Sequence, residues 1–174
     1  MLKKYIIHIL AVTALCQDAF DIPYDQCALI SLTYRTTPFL QQVSVRKMTI
    51  DIKDYEDKDV PGAISSEQAK LIIHFLEKLP STVSDLYICC SKGGSRSAGC
   101  AAAVLRMSDR SDLDVWQNPY YTPNILVYYV LCKEYGLEIT WEEVLEKKEI
   151  NEIAFREAQQ NNGICKYERW QIIE

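Results

Sequence analysis

The 174-residue chain predicts an α/β fold: a central, mostly parallel sheet of about four or five strands flanked by helices, with extra helices towards the C-terminus. Three features predict it. Short apolar runs with strand-like spacing are followed by stretches whose apolar residues recur at helical spacing. Capping residues and proline or glycine mark where those helices start and stop. A cysteine-led loop containing two glycines joins an apolar run to an alanine-rich helix. With 48% apolar residues and no internal repeat or long linker, residues 1–174 read as one domain with a sizeable core. Residues 137–174 form a helical extension of it.

The elements follow in order. Tyr5 to Leu10 predicts a first strand, Val12 to Phe20 a short helix, and Ala28 to Leu32 a second strand centred on Ile30. Val43, Val45, Met48, Ile50 and Ile52 alternate as a strand does. Asp51 to Asp59 then holds five acids and two lysines, and Pro61-Gly62 follows, so this segment is a loop. Ser65 and Gln68 make a capping box for a helix with Ala69, Ile72, Ile73, Leu76 and Leu79 on one face. Pro80 stops it. Leu86 to Cys89 is a short buried strand. A helix over about Ser97 to Met107 follows, where Ala98, Ala101, Ala102 and Ala103 permit close approach to the sheet. After the loop Asn118 to Pro123, Thr122 is the expected cap and Pro123 the first helical position. Ile125, Val127, Tyr128 and Leu131 belong to that helix, and Gly136 closes it. Thr140 and Glu143 form another capping box. Two short helices, Trp141 to Lys148 and Glu149 to Gln160, complete the chain, the second ending at Asn161-Asn162-Gly163.

Composition excludes several function classes. The net charge is −5, with no basic tail or stripe, so nucleic acid is not an expected partner. Tyr128, Tyr129, Tyr135, Trp141 and Trp170 read as core or interface residues, not base-stacking platforms. No run of 18 uncharged apolar residues exists, so no membrane span is expected. The start has a basic flank and an apolar run, but Ile6, Ile7 and Ile9 read as a strand and His8 interrupts the run, so an export leader is not expected. Seven cysteines, at positions 16, 27, 89, 90, 100, 132 and 165, show neither a disulfide framework nor a zinc-ribbon spacing. A cytoplasmic, reduced protein is expected. His8 reads as a strand-edge residue and His74 as a helix-surface residue. No cofactor or metal is expected.

The stretch Cys90-Ser91-Lys92-Gly93-Gly94-Ser95-Arg96-Ser97 carries chemistry. A free cysteine is only a few per cent thiolate near neutrality. Placed before a helix, it faces free backbone N–H groups that stabilise a thiolate and a phosphate alike. Gly93 and Gly94 let the backbone curl so that its amides converge. Arg96 offers a fork of donors matched to two phosphoryl oxygens. Ser97 can donate to the Cys90 sulfur, and Lys92 adds positive charge at the rim. Residues 91–96 are thus the expected phosphate cradle. A two-step reaction follows: Cys90 attacks phosphorus, a carboxylic acid protonates the departing oxygen, and the resulting carboxylate activates water against the thiophosphoryl intermediate. The loop lacks the Gly-Lys-Ser/Thr ending of a Walker A motif.

This stretch resembles the signature loop of cysteine-dependent protein tyrosine phosphatases of the dual-specificity type, Cys-x-x-Gly-x-Ser-Arg-Ser, matched by Cys90, Gly93, Ser95, Arg96 and Ser97. More narrowly it is similar to a compact bacterial tyrosine-phosphatase-like family, through Ser95-Arg96-Ser97, the alanine-rich helix and Thr122-Pro123-Asn124. The resemblance covers roughly residues 5–136. It implies a tyrosine-phosphatase-like fold and activity on protein phosphotyrosine, with phosphoserine and phosphothreonine as further substrates. It also implies an aspartate acid some 30 to 40 residues before the nucleophile. Asp51 fits the bacterial pattern and Asp54 the dual-specificity spacing; Asp57 and Asp59 are further candidates. The histidine that relatives carry before the nucleophile is Cys89 here, read as an apolar strand end with a redox partnership to Cys90 as the alternative.

The expected partners are a phosphorylated protein or a small phosphomonoester, with inorganic phosphate or sulfate as occupants of the same loop. The competing readings are a phosphatase for a phosphoinositide or other phosphorylated metabolite, a non-catalytic phosphate- or phosphopeptide-binding module, and a rhodanese-like or arsenate-reductase-like thiol enzyme, the last needing a resolving cysteine for which Cys100, otherwise a packing residue, is the one to test. Arg35, Thr36 and Thr37 read as a surface loop, with the border of the pocket as the alternative. Tyr120, Tyr121 and Asn124 either shape its mouth or pack their loop, and the Asn124 amide is placed to brace the cysteine loop.

Overall fold

The computed structural model describes residues 1–15, 23–35 and 45–162. Four strands, β1 (Ile6–Ala11), β2 (Cys27–Ser31), β3 (Arg46–Thr49) and β4 (Asp85–Cys90), form one sheet in the order β1-β4-β2-β3. Every pairing is parallel, with Ile9 opposite Ile88, Ile30 opposite Ile88 on the other side, and Ser31 opposite Thr49. Parallel strands need covered faces, and β2 and β4 are buried at every residue. The edge strand β1 alternates instead: Ile7, Ile9 and Ala11 point inward while Ile6 is exposed.

Five helices follow in chain order: α1 (Ser66–Glu77), α2 (Arg96–Met107), α3 (Leu113–Gln117), α4 (Ile125–Glu134) and α5 (Trp141–Asn162). All of them feed one apolar cluster on one sheet face, where Ile7, Ile9, Ile30, Ile88 and Cys90 meet Ile72, Leu76, Ala98, Ala102, Trp116, Leu131 and Val144. The other face carries a smaller cluster of Val12, Leu15, Cys27, Leu29, Val45, Tyr87 and Cys89. Successive strand side chains point to opposite faces, so Cys89 and Cys90 belong to different clusters. That division rules out the redox pairing and leaves Cys89 as the strand end.

The capping box of α1 is formed: Gln68 N donates to Ser65 Oγ at 3.2 Å and Ser65 N to Gln68 Oε1 at 3.0 Å. Thr140 Oγ1 accepts from Glu143 N at 3.1 Å at the start of α5. Gly136 ends α4, with its N–H on Lys133 O and Leu137 N–H on Cys132 O, both 3.0 Å. Two expectations need correction, and one element was not expected. The helix after the second loop is capped by Asn124, whose side chain accepts from Val127 N at 2.9 Å, so Thr122 and Pro123 lie before it. The asparagine amide outcompetes the threonine by reaching the free N–H directly. The two predicted terminal helices are one, α5, because residues 141–162 contain no glycine or proline to interrupt the ladder. The short helix α3 was not foreseen. Of the helix expected over Val12 to Phe20, only a 3-10 turn, Val12–Ala14, falls among the described residues. Cys16, Thr36, Thr37, Val43, Gly163, Cys165 and Trp170 lie outside them.

No described helix is long and apolar enough to cross a membrane. Among the described residues no cluster of His, Cys, Asp and Glu could hold a metal ion. His8 sits on the edge strand, its Nε2 2.7 Å from Asp85 Oδ1 and its ring stacked on Tyr87. His74 is exposed on α1.

Candidate active site

In an all-parallel sheet every strand delivers its C-terminal end to the same edge, where ligands bind in open α/β folds. The segments after β2, β3 and β4 converge there. A cleft of about 590 Å³ opens among them, lined by Thr33, Tyr34, Arg35, Asp51, Lys53, Asp54, Ser91 and Arg96.

Cys90 is the last residue of β4, is 1% exposed and directly precedes the cleft residue Ser91. Its Sγ lies 3.3 Å from Ser97 Oγ and accepts the Gly93 N–H at 3.3 Å. Burial pushes its pKa up, but hydrogen bonds from the Ser97 hydroxyl and amide, the Arg96 charge and the Lys92 amide outweigh it, and the thiol lies below its ordinary value. The other described cysteines go the opposite way: burial, above all, lifts Cys27 to about 11 and Cys89, Cys100 and Cys132 each to about 12. Cys100 is fully enclosed in α2 and serves packing.

The loop curls as its glycines require. Gly93 has φ +73°, and a Cβ there would lie 2.3 Å from the Ala11 backbone nitrogen at the end of β1. Gly94 O accepts from Thr122 N at 2.8 Å, and Ser95 O accepts from Asn124 N at 3.1 Å, so the segment before α4 holds the loop from outside. Lys92 is exposed and is not among the residues lining the cleft.

Arg96 opens α2 and is 7% exposed. Nη1 donates to Ile52 O at 2.6 Å and Leu32 O at 3.1 Å, the carbonyls just beyond β3 and β2. Nη2 donates to Ser91 Oγ at 3.2 Å. Nε is buried and has no hydrogen-bond partner. Two carbonyls thus fix the plane of the guanidinium and leave its Nε side with an unmet donor.

The predicted acids separate. Asp51 and Asp54 both line the cleft; Asp57 and Asp59 stay exposed on the outer turn, where Asp57 Oδ1 accepts from Asp59 N at 3.0 Å. Asp51 pairs with Lys53 at 2.8 Å, and that hydrogen bond holds its carboxyl below the usual range. Asp54 Oδ1 accepts from Ser95 Oγ at 2.6 Å and Asn124 Nδ2 at 3.0 Å.

Arg35 is both exposed and part of the cleft wall. Tyr121 is buried and packs its loop, and burial raises its phenol to about 12. Asn124 braces the cysteine loop through its backbone, while its side-chain amide goes to Asp54 and Tyr55 O. Sequence reading missed Thr33, Tyr34 and Lys53 as wall residues, and the Leu32 and Ile52 carbonyls as anchors of Arg96. Carbonyl anchors have no residue signature, but Tyr34 and Lys53 flank Arg35 and Asp51-Asp54 and were reachable from those positions.

No protein-family model and no curated protein matches the chain. Among solved structures it is similar to "Crystal structure of Tk-PTP in the active form", with 18% identity and a TM-score of 0.39 over 74% of this chain and 80% of that one. A likeness of that size assigns no residue and no substrate.

Proposed function

We propose that this chain is a cysteine-dependent phosphatase that hydrolyses phosphomonoesters, with protein phosphotyrosine as the leading substrate class. The observation that carries the reading is Arg96: a buried guanidinium, fixed by two carbonyls, with an unpartnered Nε beside the cysteine loop. Buried donors are nearly always satisfied, and a phosphoryl oxygen is the partner this one fits. The lowered Cys90 thiol, next to the cleft residue Ser91, supports it.

In this mechanism Cys90 Sγ attacks phosphorus in line with the ester oxygen. The S–P bond forms as the P–O bond breaks, and a cleft carboxylic acid, Asp51 or Asp54, protonates the departing oxygen. The same group, now a carboxylate, takes a proton from water as that water attacks phosphorus and the S–P bond breaks. Arg96 and the amides of residues 91–96 stabilise the equatorial oxygens in both steps. Ser97 stabilises the sulfur anion at the start and the end.

The test is hydrolysis of para-nitrophenyl phosphate against pH in the presence of a chelator. Cys90→Ser is expected to abolish turnover, and Arg96→Ala to lower kcat by roughly 100-fold or more. Turnover that survives Cys90→Ser contradicts the mechanism. A folded protein that binds phosphate without turning over any aryl phosphate makes the chain a phosphate-binding module.

A further inference from the structure

We infer that Ser95 and Asn124 are positioning residues that make Asp54, not Asp51, the general acid, by engaging one oxygen of its carboxyl group and leaving the other to carry the transferred proton. This rests on the phosphatase reading above.

Asp54 lies on an exposed loop, where an unrestrained carboxylate samples several rotamers. Its Oδ1 instead receives the Ser95 hydroxyl at 2.6 Å and the Asn124 amide at 3.0 Å. Asn124 is itself 1% exposed and held on every side. Its Oδ1 accepts from Val127 N at 2.9 Å, its Nδ2 also donates to Tyr55 O at 3.1 Å, and its backbone N donates to Ser95 O at 3.1 Å. Helix α2 presses against the same residue: a Cβ at Gly99 would lie 2.4 Å from Asn124 O. A rigid asparagine thus ties the acid loop to the first turn of α4. Ser95 ties it to the loop that runs from Cys90 to Arg96. The carboxyl group is registered against the phosphate cradle from two directions.

The pattern of donors also decides where the proton sits. A neutral carboxyl group has one O–H, and an oxygen that already accepts from two donors does not carry it. Among the described residues nothing bonds Asp54 Oδ2. In the neutral acid Oδ2 is therefore the oxygen that bears the hydrogen. In the first step the Oδ2–H bond breaks, an O–H bond forms on the leaving oxygen, and that oxygen keeps the electron pair of the broken P–O bond. In the second step Oδ2 takes a proton from the attacking water. Asp51 Oδ2 instead pairs with Lys53, two positions along its own segment, at 2.8 Å, a contact that does not register it against the loop from Cys90 to Arg96.

The experiment compares kcat/KM for phenyl phosphate with that for para-nitrophenyl phosphate, since a poor leaving group depends on protonation and a good one much less. General acid catalysis contributes about 10²–10⁴-fold, and Asp54→Asn is expected to lower the phenyl-to-nitrophenyl ratio within that range. Asn124→Ala and Ser95→Ala are each expected to lower it about tenfold, a partial loss of the same contribution. Ser95→Thr, which keeps the hydroxyl, restores the ratio. In an Asp54→Asn background neither alanine substitution changes the ratio further, a result a merely structural role would not give. If Asn124→Ala fails to fold, the Ser95 pair carries the test. An unchanged ratio in the alanine variants overturns the inference, as does a collapse in Asp51→Asn in place of Asp54→Asn. Turnover that does not depend on Cys90 defeats the phosphatase reading itself.

Discussion

Five cysteines among the described residues share burial, yet only Cys90 is shifted towards the thiolate. Burial alone drives a thiol up, as it does in Cys100, so donors must account for the difference. Ser97 supplies the largest of them. The thiolate is the reactive form, so kcat/KM rises with pH through the Cys90 pKa and the acidic limb reports that group. Because the Ser97 hydroxyl stabilises the charged form, Ser97→Ala raises the pKa and moves the acidic limb to higher pH. The pH–rate profile and the ultraviolet absorbance of the thiolate measure it; a limb that does not move assigns the shift to the backbone and Arg96. The gathering of Cys90, Arg96 and Ser97 was legible in the sequence because they lie within eight consecutive residues. The loop imposes their relative positions by itself. Cys89 was legible for the same reason: next in line on a strand means opposite face.

At the scale of the element, the least legible part was the region after α2. Helix α3 has five residues, too few to show a period. Helix α5 was split because its polar middle interrupts the apolar pattern, although that polar middle is what docks it. Asp112, just before α3, accepts from Tyr128 OH at 2.7 Å, Trp116 Nε1 at 3.1 Å and Lys147 Nζ at 2.8 Å. Asn151 of α5 donates to Trp116 O at 2.9 Å and Asn118 O at 3.2 Å. A buried polar network beside the apolar contacts of Val144 binds α5 to α3 and α4, which blurs a reading based on hydrophobic periodicity. Asp112→Ala leaves a largely buried ammonium and two buried donors without their acceptor. Its expected cost is about 3–5 kcal/mol, read from the midpoint of urea unfolding. A loss below about 1 kcal/mol, the scale of an exposed pair, contradicts this docking role. By contrast α1 was legible end to end, since Ser65, Gln68 and Pro80 signal its limits locally.

For the whole molecule, the α/β class followed from the order of apolar runs, and the all-parallel sheet explains why the site lies where it does. Strands β2, β3 and β4 carry the Leu32 carbonyl, the Ile52 carbonyl and Cys90 to one edge, and Arg96 closes the three together. That gathering is a property of topology. The link from Asp54 to Ser95 spans 41 positions and that to Asn124 spans 70, so no local pattern reveals them. The sequence offered four acids, with Asp51 and Asp54 ahead of Asp57 and Asp59; the fold brings the first two to the cleft and leaves the other two in solvent. The central claim is that the phosphoryl group passes through Cys90. Rapid acid quench of the protein with an aryl phosphate, followed by mass spectrometry of its peptides, tests it most directly. The account predicts a phosphoryl adduct on the peptide carrying Cys90, formed in the wild type and absent from Cys90→Ser. Turnover with no adduct, or with the adduct on another residue, contradicts it.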